Sequence, residues 1–223
     1  MNTIADNINR LHSSLPAGVE LVAVSKFHPV EALLEAYDAG QRVFGESRAQ
    51  EFVAKVKELP GDIRWHFIGH LQTNKVRSVV PHTSLIHSVD SERLLRAIEA
   101  EGVRRGIQVD VLVQVHVARE ETKTGFTPDE LFALVTPELV ASLTSVRITG
   151  VMGMASNVSD KERIRADFRD IRACFDRLKA EVFADRPEFA VVSMGMSHDW
   201  RIAVEEGSNM VRVGTNIFGQ REY

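Results

Sequence analysis

Residues 21–26 read Leu-Val-Ala-Val-Ser-Lys, a short, β-branched run that stops on a lysine. Runs of the same kind return at RVFGES (42–47), RWHFIG (64–69), SLIHSV (84–89), VDVLVQVHV (109–117), VRITGVMGMA (146–155), FAVVSMG (189–195) and MVRVGT (210–215). Several are nearly continuous in apolar residues, as expected of parallel strands covered on both faces. The segments between them carry helix punctuation. Ser159-Asp-Lys-Glu162 has the form of a capping box. Behind it Ile164, Phe168, Ile171, Phe175, Leu178 and Val182 recur at spacings of three and four, one apolar stripe of about six turns. Gly40, after VEALLEAYDA, and Gly106, after a helix that opens near Asp90 and Ser91, sit where left-handed C-caps are wanted. Ile4, Ile8, Leu11 and Leu15 predict an amphipathic helix ahead of the first strand, packed as a lid on the body of the fold.

Eight strand–helix units in about 200 residues predict a (β/α)₈ TIM barrel with an extra N-terminal helix, a single domain over residues 1–223. The alternative, a doubly wound open sheet, often carries a glycine-rich dinucleotide turn after its first strand, and VSKFHP offers no glycine. With 44% hydrophobic and 26% charged residues the chain can bury a full core, and no apolar stripe is left over, so a monomer is expected. A net charge of −4 argues against nucleic-acid and anionic-membrane partners, so any phosphate must be bound locally. Cys174 stands alone, which excludes an intramolecular disulfide and a cysteine zinc cluster. The opening MNTIADNINRLHSSLP lacks an apolar signal core and no stretch approaches about 20 apolar residues, so a cytoplasmic location is expected.

Two features point to chemistry. Strand alternation puts Val22, Val24 and Lys26 on one face, which carries the lysine into or over the barrel mouth. An amine there attacks a carbonyl if apolar walls and neighbouring cations favour its neutral form. At the other end of the chain, Ser193-Met-Gly-Met-Ser197 follows the seventh strand and Arg212-Val-Gly-Thr215 closes the eighth, the two places where such barrels frequently bind phosphate. Gly195 and Gly214 would allow close backbone approach, and Ser197 and Thr215 add hydroxyl donors. An imine-forming lysine and a phosphate site in one mouth suit pyridoxal 5′-phosphate foremost, and the phosphorylated sugars of lysine aldolases second.

The flanking motifs discriminate. Val24-Ser-Lys26-Phe-His-Pro29, Phe44-Gly-Glu-Ser47, Trp65-His-Phe-Ile-Gly-His-Leu-Gln-Thr-Asn-Lys75, Lys123-Thr-Gly-Phe126, Gly150-Val-Met-Gly-Met154, Ser193-Met-Gly-Met-Ser-His-Asp199 and Val211-Arg-Val-Gly-Thr-Asn-Ile-Phe-Gly219 occur in that order. Together they resemble the pyridoxal-phosphate homeostasis protein family, whose fold is that of the alanine racemase barrel. The resemblance implies pyridoxal 5′-phosphate held as a Schiff base on Lys26, its phosphate by Ser193, Gly195, Met196, Ser197, Gly214 and Thr215, and Arg212 beside the pyridine nitrogen. It also implies a cofactor contact at Ser47. Two positions depart from the family pattern: Ser47, where asparagine is usual, and His70, where a smaller or apolar residue, often proline, is common.

Arginine is donor-only and always charged, so at Arg212 it cannot keep the pyridine nitrogen protonated and weakens the ring as an electron sink. Proton transfer at a substrate α-carbon also needs an acid and a base on opposite faces, and Lys26 supplies one. In the racemases that resemble this barrel a tyrosine of a second domain supplies the other. Here no second domain is expected, and Tyr37 and Tyr223 are poorly placed. The expected function is therefore a carrier or reservoir in intracellular vitamin B6 homeostasis, with no catalytic residue, exchanging cofactor with apo-forms of pyridoxal enzymes. The alternative, a slow amino-acid racemase, requires His66, His116 or His198 to face Lys26. No metal site is expected, because His66 and His70 fall in a strand and its exit turn and should not share a face.

Overall fold

The structure, a computed structural model, describes residues 3–117 and 124–220. Eight strands, β1 (Glu20–Val24), β2 (Val43–Glu46), β3 (Arg64–Phe67), β4 (Leu85–Val89), β5 (Val109–Val115), β6 (Val146–Gly153), β7 (Val191–Ser193) and β8 (Met210–Val213), pair in chain order as a closed parallel barrel. Closure is made by β8 against β1, with Val211 opposite Leu21 and Arg212 opposite Val22. Each expected run corresponds to one strand, trimmed mainly at its C-terminal end. The trimmed residues, Lys26, Ser47, Gly69 and Gly195 among them, leave the ladder to form loops at one end of the barrel, and Thr215 opens a helical turn there.

The helices are α1 (Ile4–Ser14), α2 (Val30–Asp38), α3 (Ala49–Glu58), α4 (Val76–Val79), α5 (Glu92–Arg105), α6 (Pro128–Leu134), α7 (Pro137–Ser142), α8 (Lys161–Glu181), α9 (Trp200–Glu205) and α10 (Thr215–Phe218). A 3₁₀ turn at Thr73–Lys75 leads into α4. α10 is a single turn, too short to cover the flank after β8, and α1 supplies that cover. It buries Ile8 and Leu11 and packs on α2 and α10. The Asn7 amide donates to the Ile217 carbonyl (2.9 Å), and Glu35 accepts from the Ile4 N–H (3.0 Å). The lid is thus on the barrel's side, beside the junction of its first and last strands.

The capping box expected from Ser159 to Glu162 does not form. Asp160 is the N-cap, its carboxylate accepting from the N–H groups of Glu162 (3.0 Å) and Arg163 (3.4 Å), a short anionic acceptor where the helix dipole favours one. The stripe from Ile164 to Leu178 is buried as predicted. Val182 ends the helix half-buried, and Phe183 takes the next core position, stacked on Phe189 with centroids 4.1 Å apart. Gly106 caps α5 at φ +65°.

Inside the barrel, Val22, Val43, Leu85, Leu112, Met152 and Met210 form an apolar cluster separate from the large core between strands and helices. On the opposite faces of β1 and β2 a buried ion pair fixes the exit that carries Lys26. The Lys55 ammonium of α3 donates to Glu46 (2.7 Å) and to the Ser25 carbonyl (2.8 Å), while the Ser25 hydroxyl donates to the same Glu46 oxygen (2.6 Å). Burial pushes the Glu46 carboxyl up, opposed by Lys55 and Ser25, and its second oxygen has no hydrogen-bond partner. One residue beyond Lys26, Phe27 takes φ +69°, a conformation that costs an aromatic residue roughly 1–3 kcal/mol. Its N–H donates to Glu51 (3.0 Å) and the Arg48 guanidinium lies 4.3 Å over its ring. Three side chains of the Arg48–Lys55 segment therefore hold the turn in which Lys26 sits.

Removing one member of this pair strands a charge in the wall. Lys55→Met should lower unfolding free energy by about 3–5 kcal/mol, and adding Glu46→Leu should recover most of the loss. Urea denaturation of both variants measures the difference.

Candidate functional site

The loops leaving the C-terminal ends of the strands enclose a cavity of about 380 Å³ at the barrel mouth. Val24, Lys26, Ser47, Met196, Ser197, Arg212, Gly214 and Thr215 line it, joined by Ile68, Gly69, His70, Met154 and His198. Seven of the nine residues singled out in the sequence therefore meet in one space. Among the described residues the lining contains lysine, arginine and two histidines and no carboxylate, in a chain whose net charge is −4.

Strand alternation delivers the lysine as predicted. Val22 belongs to the inner apolar cluster, and Val24 and half-buried Lys26 follow on the same side at the mouth. Ser47 approaches because Gly69 lets it: a Cβ at 69 would lie 2.2 Å from the Ser47 carbonyl oxygen, so any side chain there would push the β2 exit away.

Ser193 and Gly195, expected at the phosphate, are not among the residues that line the cavity. Ser193 is fully buried, its hydroxyl engaged beneath Arg212. Gly195, at φ +95°, is needed for packing, since a Cβ would come within 2.6 Å of the Ala203 side chain on α9. Gly214 likewise fits closely against Val24, its missing Cβ 3.1 Å from the Val24 carbonyl oxygen. The Gly214 N–H donates to the Ser197 hydroxyl (3.2 Å), which joins the two loops after β7 and β8. The first of these loops is braced by Asp199, buried, which accepts from the Met196 N–H (2.5 Å). No side chain caps the opening turn of α10, so Thr215 and its neighbours present uncapped N–H groups beside the Ser197 and Thr215 hydroxyls.

Arg212 is nearly fully buried, and burial lowers its pKa to about 10, leaving it charged at neutral pH. It donates to the Ser193 carbonyl (2.8 Å), the Ser193 hydroxyl (2.7 Å) and the Gly153 carbonyl (3.0 Å). The hydroxyl continues to His87 Nδ1 (3.0 Å), and His87 Nε2 to His66 Nδ1 (3.0 Å). Because arginine only donates, the Ser193 proton is left for His87 Nδ1 and the His87 Nε2–H for His66. Both rings stay neutral: burial holds His66 at about 3 and His87 well below the ordinary histidine range, with the neighbouring cations adding to the effect. Sequence reasoning missed this inward polar layer, although its members sit at alternating strand positions. His87, in SLIHSV, reads there as one polar residue in an apolar run.

The other candidates separate. His66 lies inside the barrel and does not line the cavity. His116 lines a different groove with Phe132 and Arg177. His198 does line the mouth, half-exposed, with Nε2 3.2 Å from Asp199. Tyr37 is on α2 and donates to Asp62 (2.7 Å), away from the mouth. Lys123 and Tyr223 lie outside the described residues. His66 and His70 turn apart, the first to His87 and the second to Asp90 (2.7 Å).

A closed parallel barrel with a lysine after its first strand and donor-rich loops after its last two is a barrel of the alanine racemase type, and the family model for the alanine racemase N-terminal domain matches residues 1–222. Proteins named pyridoxal phosphate homeostasis protein from Vibrio alginolyticus (39% identical, all of both chains covered) and Aquifex aeolicus (40% identical, 92% of this chain and 88% of that one) are similar over essentially the whole length. The structure of PipY of Synechococcus elongatus PCC7942 with PLP bound superposes with a TM-score of 0.88 at 40% identity, covering 97% of this chain and all of that one. Alanine racemase from E. faecalis shares the fold at 19% identity (TM-score 0.73), this chain spanning 57% of it. The chain therefore belongs to the pyridoxal phosphate homeostasis protein family.

The neutral histidine pair has a consequence for stability. A histidine in the unfolded chain titrates near 6.5. Below that pH the unfolded state takes up protons that folded His66 and His87 refuse. Stability from this source is complete above about pH 6.5 and is lost as pH falls toward 3, at up to about 1.4 kcal/mol per pH unit for each ring. Urea midpoints between pH 7 and pH 4 should fall accordingly, and His66→Asn should flatten the slope by about one proton.

Proposed function

We propose that this chain binds pyridoxal 5′-phosphate at the barrel mouth and acts as a cytoplasmic carrier or reservoir of it in vitamin B6 homeostasis. One observation carries the proposal: a cavity in an acidic chain lined by Lys26, Arg212, hydroxyls and loop backbone, with no carboxylate among the described residues. That donor set fits a ligand with a phosphate, an aldehyde and a ring nitrogen. Its bearing on the cofactor is strengthened by the PLP-bound relative at 40% identity.

In this proposal the Lys26 amine bonds the aldehyde carbon as a Schiff base, with loss of water. Ser197, Thr215 and the backbone at Met196, Ser197 and Gly214 hold the phosphate, Ser47 contacts the ring side, and Arg212 faces the ring nitrogen. Ser193 and Gly195 act one layer back, by fixing Arg212 and the loop on α9. When bound, the group supplies an electrophilic carbon and a conjugated ring. Arg212 does not protonate that ring, and its three anchoring bonds keep it from turning away. Among the described residues no tyrosine lines the cavity, so none of these offers Lys26 a tyrosine as opposing acid. Held without efficient turnover, the cofactor would pass from a monomeric carrier to apo-forms of pyridoxal enzymes. A slow racemase is the second reading, favoured by His198 alone, which lines the mouth and neighbours Asp199.

Borohydride reduction of loaded protein should add one reduced cofactor to the intact mass, and Lys26→Ala should abolish the addition. Ser197→Ala and Thr215→Val should each weaken cofactor binding about 10-fold or more while still permitting the covalent bond. Unchanged dissociation constants in both would remove the phosphate from these loops. Incubation with L-alanine in deuterated water should give negligible α-proton exchange. Exchange at about 1 s⁻¹ or faster would establish an enzyme instead, and loss of that rate in His198→Asn would name the second base.

A further inference from the structure

Beside the mouth cavity lies a second groove, of about 460 Å³, that shares Ser47 and His70 with it as common walls. We propose that this groove is a subsite for the distal carboxylate of a dicarboxylic amino acid, with Lys75 as its counter-ion; the proposal rests on the cofactor assignment above.

The segment His70-Leu-Gln-Thr-Asn-Lys75 is largely unused by cofactor binding. Leu71 is buried and anchors the turn, which leaves Gln72 and Lys75 to line the groove opposite Arg48 and Gln50. No carboxylate lines it among the described residues. Arg48 is paired with Glu51 (3.3 Å) and His70 with Asp90 (2.7 Å), whereas the half-buried Lys75 ammonium has no ion pair or hydrogen bond among the described residues. The first turn of α3 opens on the same space without a side-chain cap and adds to the same sign of potential.

The division of residues between the two spaces decides the ligand class. Lys26 lines the inner cavity only and Lys75 the groove only. An α-carboxylate sits one bond from the amine-bearing carbon and stays with Lys26. An acid group two or three carbons farther along reaches past Ser47 and His70 into the groove. The neutral amine would exchange with Lys26 without oxidant or added water: its nitrogen would bond the cofactor carbon, the bonds from that carbon to Lys26 Nζ would break, and two protons would pass from the incoming nitrogen to the departing lysine, which leaves as its neutral amine.

The test titrates cofactor-loaded protein with L-glutamate and with L-glutamine, which differ only in the distal charge, and follows the change in cofactor absorption. Wild type should respond to glutamate at about tenfold or more lower concentration than to glutamine. Lys75→Gln should bring the ratio near one by weakening glutamate alone, Lys75→Arg should keep the preference, and cofactor affinity should be the same in all three. No response to either amino acid, no preference in wild type, a preference that survives Lys75→Gln, or equal weakening of both would overturn the subsite. Failure of the cofactor assignment would appear earlier, as the absence of any Lys26-dependent absorption on adding pyridoxal phosphate, and would overturn the subsite with it. With normal loading, only the subsite is at stake.

Discussion

A guanidinium buried inside a barrel sets most of what surrounds it. Arg212 points inward from β8 and is nearly fully buried, so its donors are met largely by protein oxygen. It takes two from Ser193 and one from Gly153, drawing the ends of β6, β7 and β8 into a single hydrogen-bonded unit. Burial keeps His87 and His66 neutral, aided by Arg212 at His87 and by Arg64 at His66, and the donor-only guanidinium gives their shared bonds one direction. A polar layer thus sits above the inner apolar cluster, and the mouth cavity rests on it. Leaving any member of this layer unpartnered costs about 1–3 kcal/mol of desolvation, more for the charged one, which makes the layer rigid as well as polar.

The opposite wall is held by a second buried charge. Glu46 and Lys55 face outward from the strands toward α3, and through Ser25 they fix the turn that carries Lys26 and strained Phe27. Lys26 and Arg212 are thereby supported by two separate networks, one between sheet and helix and one within the barrel. Stability and site geometry share the same residues, so acid that charges the histidines loosens the floor on which Arg212 stands.

Much of this architecture is legible in the chain itself. The period of apolar residues marks all eight strands because parallel strands covered on both faces must be apolar throughout. Alternation alone puts Lys26 at the mouth, and the loops after the last two strands are recognisable by their small, donor-bearing residues. The cap of α8 falls one residue away from the expected one, since Ser159 and Asp160 are both good caps and only the path of the chain entering the helix chooses between them. The family resemblance gives Ser193 and Gly195 to the phosphate, while in the fold one packs beneath Arg212 and the other against α9.

The sequence by itself determined the barrel, its strand order, the lysine at its mouth and the family to which the motifs belong, because periodicity and local motif are properties of neighbouring residues. Only the tertiary structure decided which polar residues complete one another. Ser193 and His87 are 106 positions apart and Arg212 and Gly153 are 59 apart, and each pair meets only because the sheet closes. It likewise decided that His66 and His70, four residues apart, serve different surroundings, and that Lys75 of the β3 exit shares a wall with Lys26 of the β1 exit. Closure brings together side chains whose separation along the chain carries no signal, and burial then forces each of them to find a partner.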